Sequence, residues 1–308
     1  MKDYGDDDYL HARIYAMRGR LFSLRDYALM ARNPESFTDK KTGEFNPVDV
    51  KEAVFREQIS GVITLAETTR RNAPLFLAFL RQYEANNAKT ILAKTFGKEI
   101  LQQWYDIGSY AVFEKDLLRQ EISPDDMRDL LVKTYLSDVL EDIPSYERME
   151  IRVDLCAARD LFASSSTFMP EDRMAFQVLM LRRIAVMAVI WERRLRDYGW
   201  SEERIRSYLD DLLERFGSRV LDALEERIEE MRKSSGQLPT AEDVERHLEQ
   251  YYFRWISIMF HRDFHSIHCV AAYLWLLHYQ VRNLFRIIDG MRFGLPPDVI
   301  LEGIIGGA

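Results

Sequence analysis

Apolar residues along this chain return every third or fourth position for most of its length, and strict alternation is scarce. That period belongs to amphipathic helices rather than to half-buried strands. The clearest stretch is near the end, where Leu274, Leu277, Val281, Leu284, Phe285 and Ile288 share one helix face and Gln280, Arg282, Arg286 and Asp289 lie away from its centre. Gly294 then supplies a residue able to close the helix in the left-handed conformation. Pro296 and Asp298 suit the opening turn of another helix. Two further starts are marked by Ser123-Pro124-Asp125-Asp126 and by Thr240-Ala241-Glu242-Asp243, each pairing a capping hydroxyl with first-turn acids. Segments rich in turn formers, Asn33–Pro47, Ser164–Pro170 and Ser234–Pro239, are expected to be loops.

The closing pattern occurs more than once. Met180, Ile184, Met187, Trp191 and Leu195 form a stripe that Gly199 ends and Ser201-Glu202-Glu203 follows. A weaker copy runs through Phe76, Leu80, Tyr83, Asn87 and Ile91 to Phe96-Gly97, with Glu99-Ile100 beyond. The three glycines stand 102 and 95 residues apart, the size of a small helical bundle. The expected fold is therefore all-α, built from three homologous helical modules at 1–110, 111–212 and 213–308.

Composition narrows the function. In 308 residues, 47 % are hydrophobic and 30 % charged, which suits a folded chain with a substantial core rather than a disordered one. A net charge of −8 with no segregated basic face speaks against a nucleic-acid partner. The amino end, MKDYGDDDYL, is acidic where a secretory leader would be basic and then apolar. The longest apolar runs, Ile184–Trp191 and Cys269–Leu277, fall short of the roughly 20 residues of a membrane span, so no transmembrane segment is expected. Cys156 and Cys269 are the only cysteines and read as two buried thiols of a reducing compartment.

Three places carry a family likeness. Tyr9-Leu10-His11-Ala12-Arg13-Ile14-Tyr15-Ala16-Met17, Glu84-Ala85-Asn86-Asn87, and Val281-Arg282-Asn283-Leu284 through Phe293-Gly294-Leu295-Pro296 resemble, in order and spacing, the C-type central-stalk subunit (the d subunit of eukaryotes) of archaeal and vacuolar-type rotary ATPases. The sequence departs from that pattern at His11, where asparagine is usual, at Gln280, where glutamate is frequent, and at Ala188, where the second module would carry its asparagine. The resemblance implies a non-catalytic rotor subunit without a cofactor. It implies a pseudo-threefold funnel held peripherally at the cytoplasmic face of a membrane, with the central shaft subunits and the membrane proteolipid ring as partners. Such a component couples ATP hydrolysis or synthesis to proton or sodium transport and performs no bond chemistry itself.

Some residues admit a chemical reading beside a packing one. Asn87 and Asn283, with Glu84 and Arg286 nearby, recur at related positions of the module helices. With Arg13 they form a signature expected to fix module packing, since polar groups at a helix crossing must be hydrogen-bonded; a binding constellation is the other reading. His261, His265 and His268 are four and three apart. On one continuous helix they would share a face, the arrangement a helical metal-dependent enzyme would need; packing or a partner surface is the alternative. Arg182, Arg183, Arg193, Arg194 and Arg196 form a basic cluster, expected to pair with nearby acids such as Glu192 and Asp197; a contact with acidic lipid headgroups or a partner is the other reading. Glu225, Glu226, Glu229 and Glu230 read as a solvated helix face. The chain contains no GxxxxGK[ST], GxSxG or HExxH motif, so neither a phosphate loop nor those catalytic signatures is present.

Overall fold

The computed structural model describes residues 4–37, 45–98, 103–137, 146–207, 229, 240–262 and 265–307, with the side chains of 4–8, 34 and 147 excepted. Among the described residues every regular element is helical and there is no strand. The main helices are α1 (Tyr4–Arg18), α2 (Leu24–Arg32), α3 (Pro47–Thr68), α4 (Ala73–Thr95), α5 (Pro124–Val132), α6 (Tyr146–Ala163), α7 (Pro170–Asp197), α8 (Ala241–Arg262), α9 (Ile267–Arg292) and α10 (Pro297–Glu302). The chain divides into two compact units: residues 1–6, 25–168 and 281–301 form unit 1, and residues 7–24, 169–280 and 302–308 form unit 2.

Unit 1 is organised around α4, which packs on α3 and on α6. Arg81 Nη1 lies 3.1 Å from Asp160, Gln82 Nε2 donates to the Ala157 carbonyl at 2.6 Å, and Lys89 Nζ reaches Asp154 at 2.7 Å. As the α4 number rises the α6 number falls, so the two helices run antiparallel. Beneath these half-buried pairs, Ala85, Ala88, Ile91 and Leu92 of α4 meet Val153, Cys156 and Ala157 of α6 and Met127 and Leu131 of α5. Small residues on α4 let the helices approach closely. At the far end of this unit Gly290 of α9 faces Ile300 of α10, whose side chain lies only 2.5 Å from where a Cβ at 290 would stand; any larger residue would collide there.

Unit 2 centres on α7 packed against α8. Phe176, Leu179, Met180, Ile184 and Val186 of α7 and Val244, Leu248, Tyr252, Ile256 and Phe260 of α8 are buried. Leu10 and Ile14 of α1 are buried as well, and the Tyr15 ring packs 5.0 Å from that of Phe260.

Several expectations are met. Ser123 and Asp126 form a reciprocal capping box at the start of α5, and Thr240 and Asp243 exchange the same kind of bonds before α8. Both cysteines are buried and neither is in a disulfide. Of the loop expected at Asn33–Pro47, Pro34–Phe37 is a 3₁₀ turn and residues 38–44 lie outside the described residues; Ser164–Thr167 is likewise a 3₁₀ turn before α7 opens at Pro170. The segment Ser234–Pro239, the helix start at Glu99-Ile100, and Glu225, Glu226 and Glu230 lie outside the described residues; Glu229 is exposed.

Two features of the helices add to the sequence pattern. Gln280, away from the centre of the apolar face, is nonetheless only 4 % exposed, because that helix is enclosed nearly all round along Cys269–Phe285. Counted across Arg182 and Arg183, helix α7 is long and apolar enough by length and composition to cross a membrane, though more than half of that stretch is buried within the fold. Arg182 and Arg183 interrupt the run at its middle, and burial among α8 residues gives it the character of a core helix.

Candidate functional site

Two buried polar groups of α4 in unit 1 converge on one irregular segment. Residues 103–115 contain only short 3₁₀ turns, so their backbone groups need partners from elsewhere. Helix α4 provides them. Asn87, fully buried, uses its amide twice: Nδ2 donates to the Tyr105 carbonyl at 2.8 Å and Oδ1 accepts the Tyr105 N–H at 2.9 Å. One turn earlier Glu84, also fully buried, accepts the Phe113 N–H at 3.1 Å and the Val112 N–H through the same Oε1. From α3, Glu52 accepts the Trp104 N–H at 3.2 Å and pairs with Lys115 Nζ at 2.7 Å.

The segment is thus pinned near both ends and in the middle. Tyr105, held by Asn87, inserts its ring among Phe55, Tyr83 and Phe285 with centroids 5.1, 5.8 and 6.1 Å away. Burial pushes its phenol up to about 12, so it acts as a neutral packing group. Burial likewise holds the Glu84 carboxyl above the ordinary range, opposed by the Val112 and Phe113 N–H bonds and by the charge of Arg81.

Helix α9 also carries buried polar side chains. Gln280 Oε1 accepts the Phe22 N–H at 2.6 Å, and Asn283, 3 % exposed, is hydrogen-bonded to the Tyr27 side chain. Of the remaining signature residues, Arg13 is half-buried on α1 and Arg286 is exposed. Ala188 is buried and brings no polar group to α7.

Unit 2 uses charge instead. Arg183 Nη1 lies 2.7 Å from Glu249 Oε2, with side chains 9 % and 3 % exposed, and the Tyr279 hydroxyl donates to the same carboxylate oxygen. The guanidinium also lies over the rings of Trp275 and Tyr252, at 5.1 and 5.6 Å. Although burial alone would lower the Arg183 pKa, the Glu249 carboxylate outweighs it and the group stays cationic. Among the other arginines, Arg196 pairs with Glu192 at 2.8 Å as its spacing suggested. Arg194 reaches Glu245 on α8, and Arg182 stacks 4.3 Å from the Trp255 ring centre. Arg193 is half-buried. These α8 partners are roughly 50–70 residues away in sequence and were invisible to local charge patterning.

The histidines do not form the proposed metal face. Helix α8 ends at Arg262 and α9 begins at Ile267, so the helix that would align His261, His265 and His268 is broken between them. His261 packs on the Phe260 ring, His265 faces the ring of His11 at 6.0 Å, and His268 Nδ1 lies 2.7 Å from Ser266 Oγ. Among the described residues no group of three His, Cys, Asp or Glu side chains is placed to hold a metal ion. His11, at the position where asparagine was expected, is buried with Nε2 3.2 Å from the Ser266 carbonyl; it ties α1 to the turn before α9.

What these groups can do is mechanical. Each clamps backbone to helix or helix to helix, although Glu84 Oε2 and Arg183 Nε are buried without a hydrogen-bond partner. These contacts hold a helical fold together. Residues 10–303 match the model of the ATP synthase (C/AC39) subunit, and the chain belongs to that family. Its members are non-catalytic central-stalk subunits of V/A-type rotary ATPases. No curated protein matches the chain.

Proposed function

We propose that this chain seats the foot of the rotating shaft on the membrane proteolipid ring, as a peripheral subunit at the cytoplasmic face. In that position it passes torque between ATP chemistry and proton or sodium movement. The observation that carries the proposal is family membership over residues 10–303. Dense helical packing supplies the stiffness that torque transmission requires.

The proposal includes three homologous modules, 1–110, 111–212 and 213–308, arranged about a pseudo-threefold axis. Its support is a repeated piece of backbone. Gly97, Gly199 and Gly294 have φ of 63°, 76° and 66°, values an L side chain adopts only with strain. Each glycine N–H donates three residues back, to Lys94, Arg196 and Met291, at 2.9, 2.9 and 3.1 Å. The next N–H donates five residues back in every copy, from Lys98 to Ala93, Trp200 to Leu195 and Leu295 to Gly290, at 2.8, 3.1 and 2.9 Å. This double bond pattern is the Schellman closure, and it ends α4, α7 and α9 alike. In the same reading Glu84, Asn87, Asn283, Arg286 and Arg13 are the module-packing signature.

Purification of the assembly from native membranes through a tag on this chain tests the assignment. The shaft and the proteolipid ring are expected to co-elute with it in fixed proportion; recovery of the chain without either would overturn it.

A further inference from the structure

Within unit 1, residues 112–122 and α5 border a groove of about 560 Å³ that none of the polar clamps enters. Its floor is apolar, formed by Val112, Leu117, Ile122 and Leu130, and Val112 is 46 % exposed. Its rim is acidic: Glu121, Asp126 and Asp129 line it against one cation, Lys133, and all four are exposed. The two serine bonds hold the Asp126 carboxyl below the usual range, so it stays ionised.

The walls are fixed in advance. Glu84 holds Val112 through its N–H, and Lys94 Nζ donates to the Leu118 carbonyl at 2.7 Å and to that of Gln120. The Ser123–Asp126 box sets the start of α5, while Leu117, Ile122 and Leu130 rest on the unit's core cluster. A preorganised surface of this kind loses little freedom when a ligand binds.

We propose that this groove docks a basic amphipathic helix of a partner protein. Leucine-like side chains on one face would enter the floor, and flanking lysines or arginines would meet Glu121, Asp126 and Asp129. Charge complementarity selects this occupant. Acidic lipid headgroups and nucleic acid would be repelled by the same rim. Strand addition needs an open sheet edge, and the described residues contain no strand. The proposal stands on the groove alone and does not depend on the central-stalk reading.

The test uses the full chain, titrated by fluorescence anisotropy with a labelled Lys/Leu amphipathic peptide of about four helical turns and with its Glu/Leu counterpart. The Lys/Leu peptide is expected to bind, more weakly as salt is raised, and the Glu/Leu peptide is not. Glu121→Lys/Asp129→Lys should weaken binding about fivefold or more, whereas the charge-matched Asp197→Lys/Glu203→Lys should stay within about twofold. Val112→Ser should weaken it without changing the melting curve. If the groove double variant fails to fold, Asp129→Asn with Val112→Ser takes its place. Equal weakening by the groove and control variants, or equal binding of both peptides, would overturn the proposal. So would sedimentation showing a wild-type dimer that groove charge reversal dissociates, which would assign the surface to a second copy.

Discussion

The two units solve the same problem with different chemistry. In unit 1 the buried polar groups of α4 serve backbone: Glu84 and Asn87 each receive N–H groups from the irregular 103–115 segment. In unit 2 the buried charges between α7 and α8 serve each other, through the Arg183–Glu249 pair and the Tyr279 hydroxyl. The first arrangement orders a connection that has no secondary structure of its own. The second fixes how α7 and α8 meet. A carboxylate buried against N–H groups and one buried against a guanidinium should therefore fail differently when altered.

The largest effect is expected from breaking the charge pair on one side. Arg183→Met leaves Glu249 buried without its cation and should cost about 3–5 kcal/mol, while Arg183→Met with Glu249→Leu should recover much of that loss; chemical denaturation of the three proteins measures both. Next comes Glu84→Leu, which orphans the Val112 and Phe113 N–H groups and should cost about 2–4 kcal/mol. Glu84→Gln keeps an accepting oxygen and removes the charge. Because the folded carboxyl holds its proton to higher pH than the ordinary 4.5, the contribution of Glu84 to stability is full below that value. It is lost as pH rises through the raised one. Denaturation at several pH values should show that decline in the wild type and its absence in Glu84→Gln.

Gly290→Ala follows, at about 1–3 kcal/mol, since its Cβ must displace Ile300. The smallest expected changes are at the three helix closures. Gly97→Ala, Gly199→Ala and Gly294→Ala should each cost about 1 kcal/mol, because each forces a side chain into positive φ while none meets another atom within 4 Å. Similar losses at all three would sharpen the view of equivalent modules; a loss at only one would break it.

Much of this was legible in the sequence where the signal is local. The capping boxes at Ser123 and Thr240, the closures at Gly97, Gly199 and Gly294, and the helical period all depend on residues within a turn or two of each other. The burial of Asn87 and Asn283 was readable for the same reason, as polar positions within apolar stripes. Their partners were not, because Tyr105 and Tyr27 are brought to them by tertiary folding. The same limit hid Glu249 from Arg183. The histidine reading failed for a local reason: spacing places His261, His265 and His268 on one face only if the helix continues, and it ends at Arg262. The groove beside α5 left no motif, since its floor and rim come from three short elements that are unremarkable one at a time.

The central claim is that this protein links shaft to ring without chemistry of its own, and a density map of the intact rotary assembly tests it most directly. The account predicts the chain between shaft foot and proteolipid ring, with the closures at Gly97, Gly199 and Gly294 related by rotations near 120° about the rotor axis. Density placing the chain off that axis, or the three closures without any rotational relation, would contradict it.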